Sequence, residues 1–137
     1  MTRTNESADR IHELLRRNLQ EVFGEGDAKR RRAAIDELWT ENPSLYAPPG
    51  VIVGRDAIDK FAGDLRATHP DFVYTPTGEP QALHNAGRLA WSSGPRGGAP
   101  DYTGWDVILV ENGRSPRSTC SSTRRGSERW PSDWFVG

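Results

Sequence analysis

The sequence predicts an α+β domain, with helices gathered early in the chain and lying on one face of an antiparallel sheet built mostly from the later residues. Three observations carry this. Ile11, Leu14, Leu15, Leu19, Val22 and Phe23 recur at three- and four-residue spacing, the apolar stripe of an amphipathic helix. Tyr102–Glu111 alternates with period two: Tyr102, Gly104, Asp106, Ile108 and Val110 on one face, Thr103, Trp105, Val107 and Leu109 on the other. Asn112-Gly113 then supplies the positive φ of a tight hairpin turn, so this strand expects an antiparallel neighbour.

A first helix is predicted over Glu6–Phe23, ended by Gly24 and Gly26. Asp27 can cap a second helix running to about Thr40, with Ala34, Ile35, Leu38 and Trp39 as its buried face, and Asn42-Pro43 breaks it. Ser44–Ala47 and Val51–Val53 read as short extended pieces around Pro48-Pro49-Gly50. Gly54-Arg55-Asp56 opens a third helix to about Thr68, with Ile58, Phe61, Ala62 and Leu65 inward. Strands are predicted over Phe72–Thr77, Gln81–Asn85, Arg88–Ser93 and Tyr102–Glu111. Gly94–Pro100 is glycine- and proline-rich and reads as a rim loop.

Composition narrows the function. With 137 residues the chain is one domain able to bury one core. A net charge of −1 gives no global attraction to nucleic acid or anionic membrane. No apolar run is long enough to span a bilayer, and the polar N-terminus lacks the apolar core of a signal peptide, so a cytoplasmic protein is expected. Cys120 is the single cysteine, which excludes an intrachain disulfide. The histidines and acids show no zinc-ligand spacing, so no metal is expected. Lys29-Arg30-Arg31-Arg32 is a basic run at a helix start; it reads as a solvated helix face or, alternatively, a phosphate or nucleic-acid contact. Gly94–Gly98 lacks the strand–loop–helix setting of a phosphate-binding loop.

One residue does not belong to its surroundings. Asp106 lies in the middle of an apolar strand, where a carboxylate needs partners or must face a cavity. It is the first candidate for chemistry as a general acid or base; the alternative is a structural aspartate bonded to helix-end amides or an arginine. His84, on the strand face of Ala82, could pair with it as a proton shuttle, or be a histidine bonded at a hairpin end. Trp39, Tyr46, Phe61, Phe72, Trp91 and Tyr102 form an aromatic set suited to lining a pocket for a flat apolar ligand, or to plain core. Tyr46 and Tyr102 bring hydroxyls to it. His12 and His69 look peripheral.

After Arg114 the pattern changes. Ser115–Gly137 lacks alternation and is rich in Ser, Arg and Thr, where the hairpin calls for a strand. A base lost within or just after the Arg114 codon would explain this. Each original codon would then be an unknown base plus the first two bases of the present codon. Consistent choices from Ser115 onward give isoleucine, two alanines, leucine, tyrosine, valine, phenylalanine, leucine, aspartate, two alanines, arginine and leucine, and a stop becomes available where Glu128 stands. That stretch is a good strand. On this reading residues 1–114 are the domain, 115–137 an aberrant, poorly structured tail that pairs weakly through Ser118–Ser121, and Trp130 and Trp134 have no structural role. The alternative is a genuine disordered Ser/Arg tail.

The Gly24-to-Asp27 segment, Leu38–Ile58 (LWTENPSLYAPPGVIVGRDAI) and Gly104–Arg114 (GWDVILVENGR) resemble the nuclear transport factor 2-like superfamily, close to SnoaL-like polyketide cyclases and ketosteroid isomerases. The resemblance covers roughly residues 6 to 114. It implies a cone, a cystatin-like α+β roll in which a curved antiparallel sheet wraps three helices around a pocket in its open mouth. It also implies a homodimer through the outer sheet face, where Trp105, Val107 and Leu109 would lie. Asp106 resembles the aspartic acid of the isomerases' oxyanion hole. Two departures argue against ketosteroid isomerisation itself: Ala47 stands where the isomerases carry their general base, and about Leu19 where they carry a helix tyrosine. The implied function is a cofactor-independent cyclase or isomerase moving protons on an apolar, polyketide- or steroid-like molecule. A non-catalytic binding or dimerisation module of the same fold, and a frameshift-damaged product without activity, are the competing readings.

Overall fold

The computed structural model describes residues 2–124, with side chains from 8 to 122. The first helix, α1, covers Thr2–Arg17 and continues as a π-helical segment, Asn18–Phe23. Its apolar stripe from Ile11 to Phe23 is buried throughout. The bond from the Gly24 N–H to the Leu19 carbonyl (2.9 Å) closes the widened last turn. Asn18, only 5% exposed in that turn, accepts a hydrogen bond from Trp39 Nε1 at 3.1 Å, so its polar group is satisfied inside the core.

Helix α2, Ala28–Leu38, starts where the sequence places it. The Asp27 carboxylate accepts the N–H groups of Lys29 (2.8 Å) and Arg30 (3.0 Å), two of the donors that a helix start leaves unpaired. It ends earlier than expected. Trp39 is the first residue of strand β1, Trp39–Ala47, and Asn42-Pro43 lies within this strand instead of breaking a helix. Helix periodicity could not separate the two readings, since Leu38 and Trp39 are buried in both. Strand β2, Gly50–Val53, pairs back antiparallel on β1, and helix α3, Arg55–Thr68, follows.

The basic run ties the helices together. Arg31, 7% exposed, bonds Asp59 of α3 at 2.9 Å and the Glu25 carbonyl at 3.0 Å. Arg30 pairs with Glu25, and Arg32 with Asp36 and Asp56. Three of the four cations are thus engaged within the chain.

Strands β3 (Phe72–Pro76), β4 (Gln81–Leu83), β5 (Ala86–Pro95) and β6 (Tyr102–Glu111) match the predicted ones to within a few residues. The turn after β6 has Asn112 at φ 51° and Gly113 at φ 78°, the left-handed pair of a two-residue hairpin. Strand β7, Arg114–Arg124, returns along β6 from Glu111↔Arg114 to Tyr102↔Arg124. The ladder runs on past residue 114, over the Ser118–Ser121 stretch where weak pairing was expected and beyond it on both sides. The ladder uses backbone groups, which serine and threonine supply as well as valine does. Residues 125–137, with Trp130 and Trp134, lie outside the described residues.

The sheet runs β2-β1-β7-β6-β5-β3, with β4 pairing on β5. It is mixed, not wholly antiparallel as expected, because β1 and β7 are parallel. A parallel pair needs a long crossover, and everything from β2 to β6 serves as one. The sheet curves over the three helices, and the core gathers the α1 stripe, Ile35, Leu38, Trp39, Leu45, Ile58, Leu89, Trp91 and Ile108 between them. No helix among the described residues is long and apolar enough to cross a membrane.

Candidate functional site

Between helices and sheet lies a cavity of about 280 Å³. Its walls come from every layer of the fold. Leu19 and Phe23 of the π-helical segment and Phe61 and Leu65 of α3 form the helical side. Phe72 and Tyr74 of β3, Trp91 and Ser93 of β5, Tyr102 and Asp106 of β6 and Cys120 and Ser122 of β7 form the sheet side. Pro48, Pro49 and His69 complete the lining. Strand alternation explains the selection: residues two apart on each strand share the inward face. Among the described lining residues none is lysine or arginine.

Asp106 is 2% exposed in this wall. Its Oδ1 accepts a hydrogen bond from Trp91 Nε1 at 3.0 Å, and its Oδ2 is buried with no hydrogen-bond partner. Burial pushes the carboxyl pKa from 3.8 up to about 7, against the Trp91 bond, which holds it down. A group in that position is divided between acid and carboxylate near neutral pH. Opposite it in the β6·β7 ladder, burial pushes the Cys120 thiol well up, and the neighbouring Asp106 charge adds to this. The Tyr74 hydroxyl is pushed up to about 12, chiefly by burial.

The ring of Trp91 is held from several sides. Trp91 stands opposite Gly104 in the β5·β6 register, while Asp106 stands opposite Leu89. The indole therefore reaches Asp106 diagonally, crossing Gly104. A Cβ on Gly104 would lie 2.5 Å from Trp91 Cζ2 and 2.9 Å from its Cε2, so only glycine leaves the ring this room. Tyr74 packs against the same ring with centroids 5.4 Å apart and planes at 62°. Near His69, the imidazole stacks on Phe72 (4.2 Å, 13°), with Tyr102 at 6.0 Å from it.

Of the sequence-derived candidates, Asp106, Phe61, Phe72, Trp91 and Tyr102 come together around this cavity. The other three do not. His84 sits in the exposed β4–β5 turn at φ 54°, a left-handed position, and neither lines the cavity nor reaches Asp106. Tyr46 is 44% exposed on the outer face, because Leu45 takes the inward position on β1. Trp39 belongs to the core, bonded to Asn18. The side-chain bond that Asp106 makes is to Trp91, not to His84. Sequence reasoning missed Tyr74, although it lies two residues from Phe72 on one strand face. It also missed His69, set aside as peripheral, and Cys120 and Ser122, set aside with the tail. Among the described residues no three His, Cys, Asp or Glu side chains gather as a metal site.

No protein-family model matches the sequence, and no match is found among curated proteins. Solved structures do match. A candidate isomerase of the SnoaL-like family from Agrobacterium tumefaciens superposes with a TM-score of 0.77 at 22% identity, over 84% of this chain and 98% of that one. A candidate SnoaL-like polyketide cyclase from Jannaschia gives 0.70 at 10% identity, over 84% and 86%. A candidate ketosteroid isomerase from Kribbella flavida gives 0.63 at 17% identity, over 96% and 90%. At these identities the likeness is one of architecture: three helices on a curved sheet, in the fold that SnoaL-like and ketosteroid isomerase-like proteins share.

Proposed function

We propose that this protein binds a neutral, largely apolar small molecule in the cavity and moves a proton on it through Asp106. The observation that supports this reading is the buried Asp106 carboxyl with one oxygen bonded to Trp91 and the other without a partner, in a wall that is mostly apolar and aromatic. A polar atom without a partner in such a place costs stability, and a ligand oxygen or acidic C–H would give it a role. As the carboxylate, Asp106 takes a proton from a carbon next to a carbonyl, leaving an enolate. As the acid so formed, it returns a proton to the enolate, on oxygen or on carbon, and is the carboxylate again. A carboxyl near neutrality does both with small driving-force penalties. The reaction class is a cofactor-independent cyclisation or isomerisation, and a polyketide- or steroid-like compound is the corresponding ligand.

The test uses a panel of cyclic ketones and enones in deuterated buffer. The protein is expected to accelerate solvent deuterium exchange next to the carbonyl of a bound member. Asp106→Asn, which keeps shape and loses the titrating group, should lower that exchange by roughly 100-fold or more. Full exchange by Asp106→Asn would overturn the reading.

One observation favours a second reading, a binding module without turnover. The isomerases' base position is occupied by Ala47, and Asp106 is the one carboxylic acid among the described lining residues. Saturable binding without exchange would select this alternative.

The same protein is proposed to dimerise through the outer sheet face. Trp105 (45% exposed) and Val107 (40%) stand on it beside Tyr46 of β1, and Arg88 lies over the Trp105 ring at 5.0 Å. Sedimentation equilibrium should give a dimer, and Trp105→Glu should shift it to monomer by placing a charge in the interface. A monomeric wild-type chain at micromolar concentration would refute the dimer.

A further inference from the structure

The geometry points to Trp91 and Gly104 as positioning residues that fix which oxygen of Asp106 serves the ligand. This inference rests on the reading of Asp106 as the proton carrier and gives it a mechanism.

A lone aspartate in an apolar wall has a rotatable carboxyl whose two oxygens are interchangeable. Here they are not. The indole N–H of Trp91 binds Oδ1 at 3.0 Å, and Oδ2 is left as the oxygen without a partner. An N–H is only a donor and bonds a carbonyl oxygen better than an acid hydroxyl, so in the acid form of Asp106 it favours Oδ1 as the unprotonated oxygen. The proton then resides on Oδ2. One hydrogen bond therefore decides where the acidic hydrogen sits, besides favouring the carboxylate form through its partial positive charge.

That bond depends on a residue with no side chain. Trp91 and Asp106 are diagonal neighbours across β5 and β6, too far apart for short side chains and within reach of an indole laid over the position between. The position is Gly104. A Cβ there would meet Trp91 at 2.5 and 2.9 Å on Cζ2 and Cε2, and Cε2 is the atom bonded to the donating Nε1. Tyr74 closes the other approach, edge to face at 5.4 Å, so the indole has little freedom to tilt away. The two inward residues that look like plain wall, Trp91 and Gly104, act together through the carboxyl.

Trp91→Phe tests this, since it keeps an aromatic ring on the same strand position and removes the N–H together with part of the indole. The readout is the carboxyl carbon resonance of Asp106 by NMR, assigned by its loss in Asp106→Asn. Losing a hydrogen bond to the charged form should move the titration midpoint up by about one to two pH units. The deuterium-exchange profile of a ketone that the wild type processes should move by the same amount. A Trp91→Phe protein with the wild-type midpoint would overturn the inference. Gly104→Ala should give the same direction of shift; its Cβ also approaches the Ser121 carbonyl at 2.1 Å, so thermal melting accompanies it. If that variant fails to fold, Trp91→Phe decides alone. The two ideas fail separately: an unmoved midpoint removes the positioning role and leaves Asp106 as proton carrier, whereas a shifted midpoint with full exchange by Asp106→Asn removes the proton carrier and leaves the positioning.

Discussion

At the scale of single residues, Asp106 costs the fold stability in a way that pH reveals. Folding raises its pKa from the ordinary 3.8 to about 7, so the folded protein holds the proton more tightly than the unfolded chain. The stability tied to this proton is fully present below pH 4, falls as pH rises between the two values, and is gone above about 7. The slope approaches roughly 1.4 kcal/mol for each pH unit in that window, a few kcal/mol in all. Surface carboxylates such as the partly exposed Glu25 and the exposed Asp27 and Glu37, held below their usual range by hydrogen bonds, contribute in the opposite sense at lower pH. Comparison with Asp106→Asn cancels those. The expected result is a wild-type protein that loses stability against Asp106→Asn from pH 4 to 7 in urea melts, then runs parallel to it. A constant difference across the range would mean that Asp106 titrates normally. The site was legible at this scale only in part. Asp106 announced itself as a carboxylate inside an apolar alternation, but its partner did not, because a diagonal bond across Gly104 has no signature in either strand's own pattern.

At the scale of elements, sequence and structure agree where local rules act alone and part where two elements compete for one residue. The Asp27 cap was readable because capping is a property of four consecutive residues. Asp27→Ala should destabilise by about 1 kcal/mol by leaving the Lys29 and Arg30 N–H groups without their acceptor, measured by chemical denaturation. An unchanged midpoint would mean that water replaces the carboxylate at no cost. The α2–β1 boundary was not readable, since Trp39 is buried whether it ends the helix or begins the strand. What decides it is tertiary: Arg55 of α3 donates to the carbonyls of Trp39 and Thr40 at 2.8 and 2.9 Å, holding the chain extended there. Tyr46 and His84 were misplaced for a related reason. An isolated short strand tells which residues alternate, but not which set faces the core, and the positive φ of His84 belongs to a turn that its own sequence does not mark.

At the scale of the whole molecule, the strand with the least apolar sequence occupies an interior place. Strand β7 lies between β1 and β6, and its register puts Ser118, Cys120 and Ser122 on the inward face, opposite Ile108, Asp106 and Gly104. Ser118 is 1% exposed, and its hydroxyl donates to the adjacent Thr119 carbonyl. Such a strand closes the ladder but buries little hydrocarbon. With the base proposed above returned near the Arg114 codon, and the codons chosen as in that reading, the β6·β7 register says where the new side chains would lie. The restored frame would bring leucine in place of Ser118, valine in place of Cys120 and leucine in place of Ser122, all three inward. It would bring tyrosine in place of Thr119 and phenylalanine in place of Ser121, both on the outer face beside Trp105 and Val107. The chain with that base returned, ending where Glu128 now stands, should melt higher by roughly 10 °C, as three inward aliphatic side chains add burial. It should also bind its ligand differently, because larger groups at Cys120 and Ser122 narrow the cavity that these two residues line. Overpacking works against this gain, since the space around Ser118 fits a serine, so the whole frame must be exchanged at once and not one residue. Equal or lower melting of the restored chain would show that β7 as it stands is the strand this fold uses.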